Sequence, residues 1–165
     1  MFKRIVVLIL LMLAFKGCTR DDLCPEGTAT TPNLVIRFNN IDNESQYKKV
    51  VKLTVETDYE DSTTILSLIE TDSIAIPLNV NSDTTKYRFI RTTGTGDDAV
   101  SNVDKLMFVY NRKDIYINRA CGFSTEFESL DITLEDEGSN NWIKGIQIKR
   151  DTIVDEKQAH LTIFH

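Results

Sequence analysis

From Leu34 onward, apolar and polar residues take turns along most of the chain with a period of two. Leu34, Ile36 and Phe38 alternate with Val35, Arg37 and Asn39, and Val51, Leu53 and Val55 alternate with Lys52, Thr54 and Glu56. Successive side chains of a strand point to opposite faces, so this pattern predicts strands with one buried and one wet face. Thr63 to Ile69 continues it more weakly. Ser73 to Val80 carries Ile74, Ile76 and Leu78 on one side. Pro77 has no amide hydrogen to give a ladder, which predicts an edge strand or a strand broken by a bulge. Tyr87 and Phe89 mark the next strand. Val103 to Tyr110 is apolar at both parities, the signature of a central strand covered twice, and Asp114 to Asn118 reads as a separate short strand.

Phe123, Thr125 and Phe127 share one parity, whereas Leu130, Ile132 and Leu134 share the other. A strand changes faces only by accommodating an extra residue, so a bulge or corner is predicted at Glu128-Ser129. Trp142, Ile146 and Ile148 define a further strand, and His160 to His165 a last one. Asn39–Ser45, Asp58–Ser62, Thr92–Ser101 and Glu135–Asn141 are polar turns, and Thr92–Ser101 has the most disorder-prone composition. No helical period competes with these alternations. Short strands with frequent turns predict an all-β fold, an antiparallel β-sandwich of roughly eight to ten strands.

The first two dozen residues break this pattern. Lys3 and Arg4 precede an unbroken apolar run from Ile5 to Phe15, and Gly17-Cys18 follows. The run is shorter than the ~20 residues of a membrane-spanning helix and matches an export signal. A cysteine directly after a small residue indicates a bacterial lipoprotein signal, with Cys18 becoming the acylated first residue. Phe15 and Lys16 depart from the usual lipobox, and an ordinary secretory signal with an incidental Cys18 is the alternative. The expected organisation is a signal at 1–17, a lipidated tether at 18–32 and the β-sandwich at 33–165. The Pro/Gly/Thr-containing stretch from Cys24 to Pro32 has no period and reads as extended.

Charge and cysteines then narrow the setting. The whole chain has a net charge of −6. Loss of Lys3, Arg4 and Lys16 with the signal brings it to about −9, which opposes nucleic acid and anionic headgroups alike. The acyl chains would therefore hold the protein at the membrane. Of three cysteines, Cys24 and Cys121 remain beside Cys18. In an oxidising compartment they are most simply a disulfide, worth ~4–5 kcal/mol on the chain-entropy model; two free thiols are the alternative.

Cys24-Pro25-Glu26-Gly27-Thr28, Arg119-Ala120-Cys121-Gly122, Asn141-Trp142-Ile143-Lys144 and the ending His160-Leu161-Thr162-Ile163-Phe164-His165 together resemble a family of small Bacteroidota envelope lipoproteins of unknown function. The resemblance runs from the signal to the C-terminus. It implies an envelope lipoprotein with a β-rich body and a Cys pair, and the location expected is the outer membrane, periplasmic or surface-exposed. It brings no catalytic residues.

The residues themselves offer little chemistry. His160 and His165 lie five apart on one predicted strand, so they face opposite ways and read as strand-end residues. No Cys/His spacing suits a metal, and no acidic loop has calcium-loop spacing. No catalytic residue, metal site or cofactor is therefore expected. Trp142 is a candidate for stacking on a sugar, against the competing reading of a core side chain sharing parity with Ile146 and Ile148. Tyr116 is the other stacking candidate. The function expected is a non-catalytic interaction or structural module, docking on another envelope protein such as an outer-membrane β-barrel. A glycan-binding lipoprotein is the alternative, and a hydrolase ranks below both.

Overall fold

The structure, a computed structural model, describes residues 23–28 and 30–165. Two compact units are present: Thr30–Ile115 with Ser124–His165, and the segment ending at Ala29 with Tyr116–Phe123. The signal and Cys18 lie outside the described residues. Tyr116–Phe123 groups with the N-terminal segment in this division.

Two sheets carry the fold, as the alternation predicts. The first contains β1 (Leu34–Asn40), β2 (Asn43–Tyr47), β5 (Ser73–Ile76), β9 (Gly145–Ile148) and β10 (Leu161–Phe164). Its order is β2-β1-β10-β9, with β5 sharing the edge of β1 with β2. The second runs β4-β3-β6-β7-β8, from β3 (Val50–Thr57), β4 (Thr64–Thr71), β6 (Thr84–Thr93), β7 (Val100–Asn118) and β8 (Gly122–Leu134). β1 runs parallel to β10, with Ile36 beside Leu161 and Phe38 beside Ile163, whereas β1 with β2 and β5, β9 with β10, β3 with β4 and β6, and β6 with β7 pair antiparallel.

The core lies between the sheets. Leu34, Ile36 and Phe38 from β1 and Leu161 and Ile163 from β10 face Leu53 and Val55, Tyr87 and Phe89, and Leu106, Phe108 and Tyr110. Aromatic edges interlock across the second sheet, with Tyr87 6.2 Å from Phe108 and Tyr110 4.9 Å from Phe127, both near perpendicular. Such edge-to-face pairs add to what area burial alone contributes.

Several local expectations are corrected. Val51 is exposed and Val50 takes the core position, because Lys52 adopts φ 49° and the register shifts between Val50 and Leu53. A left-handed residue at a bulge rotates everything before it by one place. Asn39–Ser45 is not only a turn, since β2 begins at Asn43. Val103–Tyr110 and Asp114–Asn118 form one strand of 19 residues, β7. Its inner face is buried, but Val109 is exposed, so the strand is covered once rather than twice. The predicted loop at Thr92–Ser101 shrinks, because β6 and β7 pair through Thr93 and Val100 and leave only a turn with one 3-10 segment. The bulge at Glu128-Ser129 stands where the parity change puts it: Ser129 has φ 58°, with Phe127 and Leu130 both buried on either side of it.

Asp104 is the unexpected member of this core. It sits on β7 opposite Phe89, points inward with Leu106 and is fully buried. Its carboxylate accepts the backbone N–H of Trp142 at 3.3 Å and that of Ile143 at 2.8 Å. The Trp142 indole N–H donates to the Phe89 carbonyl at 3.0 Å. Three hydrogen bonds thus fasten the segment entering β9, in the first sheet, to adjacent strands of the second. Truncating Asp104 leaves two buried N–H groups without acceptors, each costing ~1–3 kcal/mol. Asp104→Ala is therefore expected to destabilise the protein by about 3–5 kcal/mol, in the range seen when one partner of a buried charged contact is removed. Urea unfolding followed by Trp142 fluorescence would measure it, and a loss below 1 kcal/mol would contradict this account.

Candidate functional site

Each predicted site residue can now be placed. Cys24 and Cys121 are bonded, with an S–S distance of 2.06 Å and Cα atoms 4.7 Å apart. Cys121 lies in the turn joining β7 to β8, where its backbone N–H is held by the Asn118 side chain at 2.8 Å. Gly122 follows at φ 72°, a left-handed conformation that suits glycine in so tight a reversal. Tyr116 and Phe123 flank this turn. Both are largely exposed, at 59% and 68%, and their rings meet edge to face at 5.3 Å. Phe123 was expected to point inward with Phe127, but only Thr125 and Phe127 of that series are buried.

Trp142 is not a stacking platform. It is 2% exposed, its indole N–H is spent on Phe89, and its ring packs 6.5 Å from Phe38 and 5.8 Å from His165. It precedes β9 rather than lying within it. The core reading holds, and the sugar-stacking reading of this residue is corrected.

The two histidines bracket β10. His160 Nδ1 accepts the Val35 N–H at 3.0 Å, and the His160 N–H donates to the Val35 carbonyl at 2.9 Å. His165 shares a 3.1 Å contact with the Lys48 carbonyl, which only accepts, so Nε2 carries the proton and donates. Each ring leaves one buried nitrogen without a partner, Nε2 of His160 and Nδ1 of His165. Burial holds both imidazoles below their ordinary range. Arg150 pushes His160 the same way, and for His165 the bond to Lys48 opposes the shift while the charges of Lys48 and Arg91 reinforce it. Each ring is thus a neutral plug at a strand end. Among the described residues, no group of three or more His, Cys, Asp or Glu is placed to hold a metal ion.

Sequence reasoning missed a polar basin of about 500 Å³ on the outer face of the first sheet. Arg37, Asn39 and Tyr47 line one side, and Lys149, Lys157 and Thr162 the other. The Arg37 guanidinium lies 4.5 Å from the centre of the Tyr47 ring, a cation–π contact that braces the ring while leaving it exposed. Asn39 is buried and donates through Nδ2 to the Glu44 carbonyl, and its Oδ1 has no partner. The available signal was the polar parity of Arg37 and Asn39, which marks a wet face but not a concave one.

The histidines make a pH prediction. Protons bind the unfolded chain, with imidazoles near their usual 6.5, more readily than they bind these buried rings. Stability should therefore be retained above about pH 7 and fall as pH drops through the usual imidazole value toward the lowered ones. The limit is ~1.4 kcal/mol per pH unit for each histidine in that window. His160→Asn keeps an acceptor toward Val35, and His165→Gln keeps a donor toward Lys48. Thermal melts between pH 7.5 and 5 should show the double variant with a flatter profile than the wild type.

Comparison with curated proteins and with solved structures returned no match. A family model does match, over residues 52–165, and its description is a family of unknown function, DUF6452. The match takes in the strands from β3 to β10, including Asp104, Cys121, Trp142 and both histidines, and on that evidence the chain belongs to this family of unknown function.

Proposed function

We infer that the protein is a lipid-anchored, non-catalytic binding module of the bacterial cell envelope. It is held at the outer membrane through acylated Cys18 and docks on another envelope protein, with an outer-membrane β-barrel as the preferred partner. The signal architecture of residues 1–18 supports the anchor. The histidines support the absence of catalysis, since each is enclosed and committed to a backbone partner.

The observation that carries docking is the free edge of β5. Val35 directs both its N–H and its carbonyl to His160, on the β10 side. Ala75, opposite Val35, is therefore in a non-hydrogen-bonded pair, with its own N–H and carbonyl aimed away from β1. The neighbouring outward groups of Ser73 are already taken: the Thr71 hydroxyl accepts from its N–H and donates to its carbonyl. Ala75 is exposed, and Pro77 follows just beyond the strand. An incoming strand would find one donor and one acceptor there, with exposed side chains around them, which is the geometry of strand addition.

A second reading, glycan binding, is favoured by the basin. A braced Tyr47 ring beside Arg37, Asn39 and Lys157 offers one apolar face and several hydrogen-bonding groups to a sugar, an acidic one above all.

Three outcomes are expected. Cys18→Ser should abolish lipid labelling and move the protein from the membrane to the soluble fraction; normal acylation and attachment of this variant would remove the anchor. A photo-crosslinker at residue 75, used in intact envelopes, should capture a discrete envelope protein. Ala75→Pro deletes the outward N–H without touching the β1 ladder, and should lower affinity for that protein at least ~10-fold, the scale of one lost hydrogen bond together with its exposed pairing. Unchanged protein binding by folded Ala75→Pro and Ala75→Asp, together with retention on an acidic polysaccharide that Tyr47→Ala loses, would favour the glycan reading instead.

A further inference from the structure

The turn around the disulfide carries more than a covalent staple. Tyr116, 59% exposed, and Phe123, 68% exposed, form an edge-to-face pair beside Cys121. Leu23, in the same unit and adjacent to Cys24, is 67% exposed. Three large apolar side chains left open within one small unit are a liability unless something covers them. The local charge is also unusual for this chain. The chain contains 25 acidic residues, yet the turn from Ile115 to Thr125 has none and carries Arg119 as its single charge; the acids of this unit, Asp21, Asp22 and Glu26, lie on the N-terminal segment instead.

Covalent connectivity says what lies nearby. Cys24 follows Cys18 by six positions. Six residues span at most ~20 Å when fully extended. With Cys24 bonded to Cys121, the turn is held within about that distance of whatever carries Cys18. The amphipathic ring of tyrosine settles at the headgroup level of bilayers, phenylalanine belongs to the apolar faces that bury at the headgroup–acyl boundary, and a basic residue beside them is attracted to lipid phosphate.

We propose that the Tyr116–Phe123 turn is a membrane-contacting tip, inserting these two rings into the lipid headgroup region of the bilayer that carries the anchor. The proposal rests on acylation of Cys18. The acyl chains supply attachment, and the tip supplies a second, non-covalent contact that restricts the tilt of the turn relative to the membrane surface. The occupant is lipid rather than protein because the tether keeps the turn at the bilayer.

The test uses the acylated mature protein, beginning at Cys18, in vesicles of phosphatidylethanolamine and phosphatidylglycerol. Phe123→Trp places an indole at the tip, and the wild type, whose Trp142 is buried, supplies the background. With phospholipids brominated near the glycerol, the added emission should fall about twofold or more and become inaccessible to iodide, as for an interfacial aromatic. Tyr116→Trp should behave the same way, which guards against misfolding of one variant. Emission that stays iodide-accessible and unquenched overturns the proposal. Emission shielded from iodide yet untouched by brominated lipid overturns it as well, and would mean that protein covers the tip. Intact mass separates the two levels. An unacylated Cys18 takes the anchor and the proposal down together, whereas an acylated protein with an unquenched tip removes the proposal alone.

Discussion

Asp104 is the constraint on which the rest of the structure depends. A carboxylate inside a two-sheet core is costly to desolvate, and it persists only where hydrogen bonds compensate. Here the two N–H groups of Trp142 and Ile143 converge on it, and the Trp142 indole reaches the carbonyl of the residue opposite. An apolar side chain at 104 could fill the volume but would leave both amides unpaired. The segment so held leads directly into β9, and Lys144 continues it by donating its N–H to the Phe164 carbonyl of β10. One buried acid therefore sets where the chain crosses from the second sheet to the first, and places Trp142 against Phe38 and His165.

The last strand shows the same economy. β10 lies parallel to β1, between β1 and β9, so both its edges are paired and all four of its residues are buried. A strand of four residues has few ladder bonds of its own. The histidines extend it at both ends by binding backbone groups of Val35 and Lys48. Their chemistry is used up in doing so. A ring whose nitrogen accepts an amide hydrogen in an enclosed site is a poor general base, whatever its type suggests. The expected pH sensitivity and the enclosure of both imidazoles thus follow from one arrangement.

The β class, the two-faced strands and the bulge at Ser129 were legible because period-two alternation survives at the level of single residues. The placement of Val50 over Val51 was not, since a left-handed Lys52 leaves no mark in composition. Nor was the length of β7. The polar residues Asn111, Arg112 and Lys113 separate two apolar runs in sequence, yet the strand runs through them, with Lys113 beside Glu126 and Glu128 and the Thr125 hydroxyl donating to Asp114. The disulfide was readable by elimination, and its place in a strand turn was not. Asp104 hid inside an apolar run, where a single acid reads as the wet face until its partners, almost forty residues away, are known. Trp142 was readable as core from its neighbours, whereas Tyr47 and Arg37 meet only because β2 folds back on β1.

These observations separate where the fold is rigid from where it can engage. The interior spends its polar groups on itself: Asp104, Trp142, His160 and His165 hold strands and are closed to ligands. What remains open is peripheral, namely the backbone of Ala75 on the β5 edge, the basin beside Tyr47, and the rings at the β7–β8 turn. Each belongs to a different recognition chemistry, backbone pairing for a strand, stacking with hydrogen bonds for a sugar, and burial of aromatic area for lipid. The contributions differ in kind as well. Adding a strand gives directional bonds and register, and so selectivity, whereas an interfacial aromatic pair gives orientation with little selectivity. On the proposed reading, a module concentrated at a surface by acyl chains gains little raw affinity from a further membrane contact. What the rings would add is a restricted tilt of the turn itself at the membrane surface, a gain in the orientation of that unit rather than in affinity.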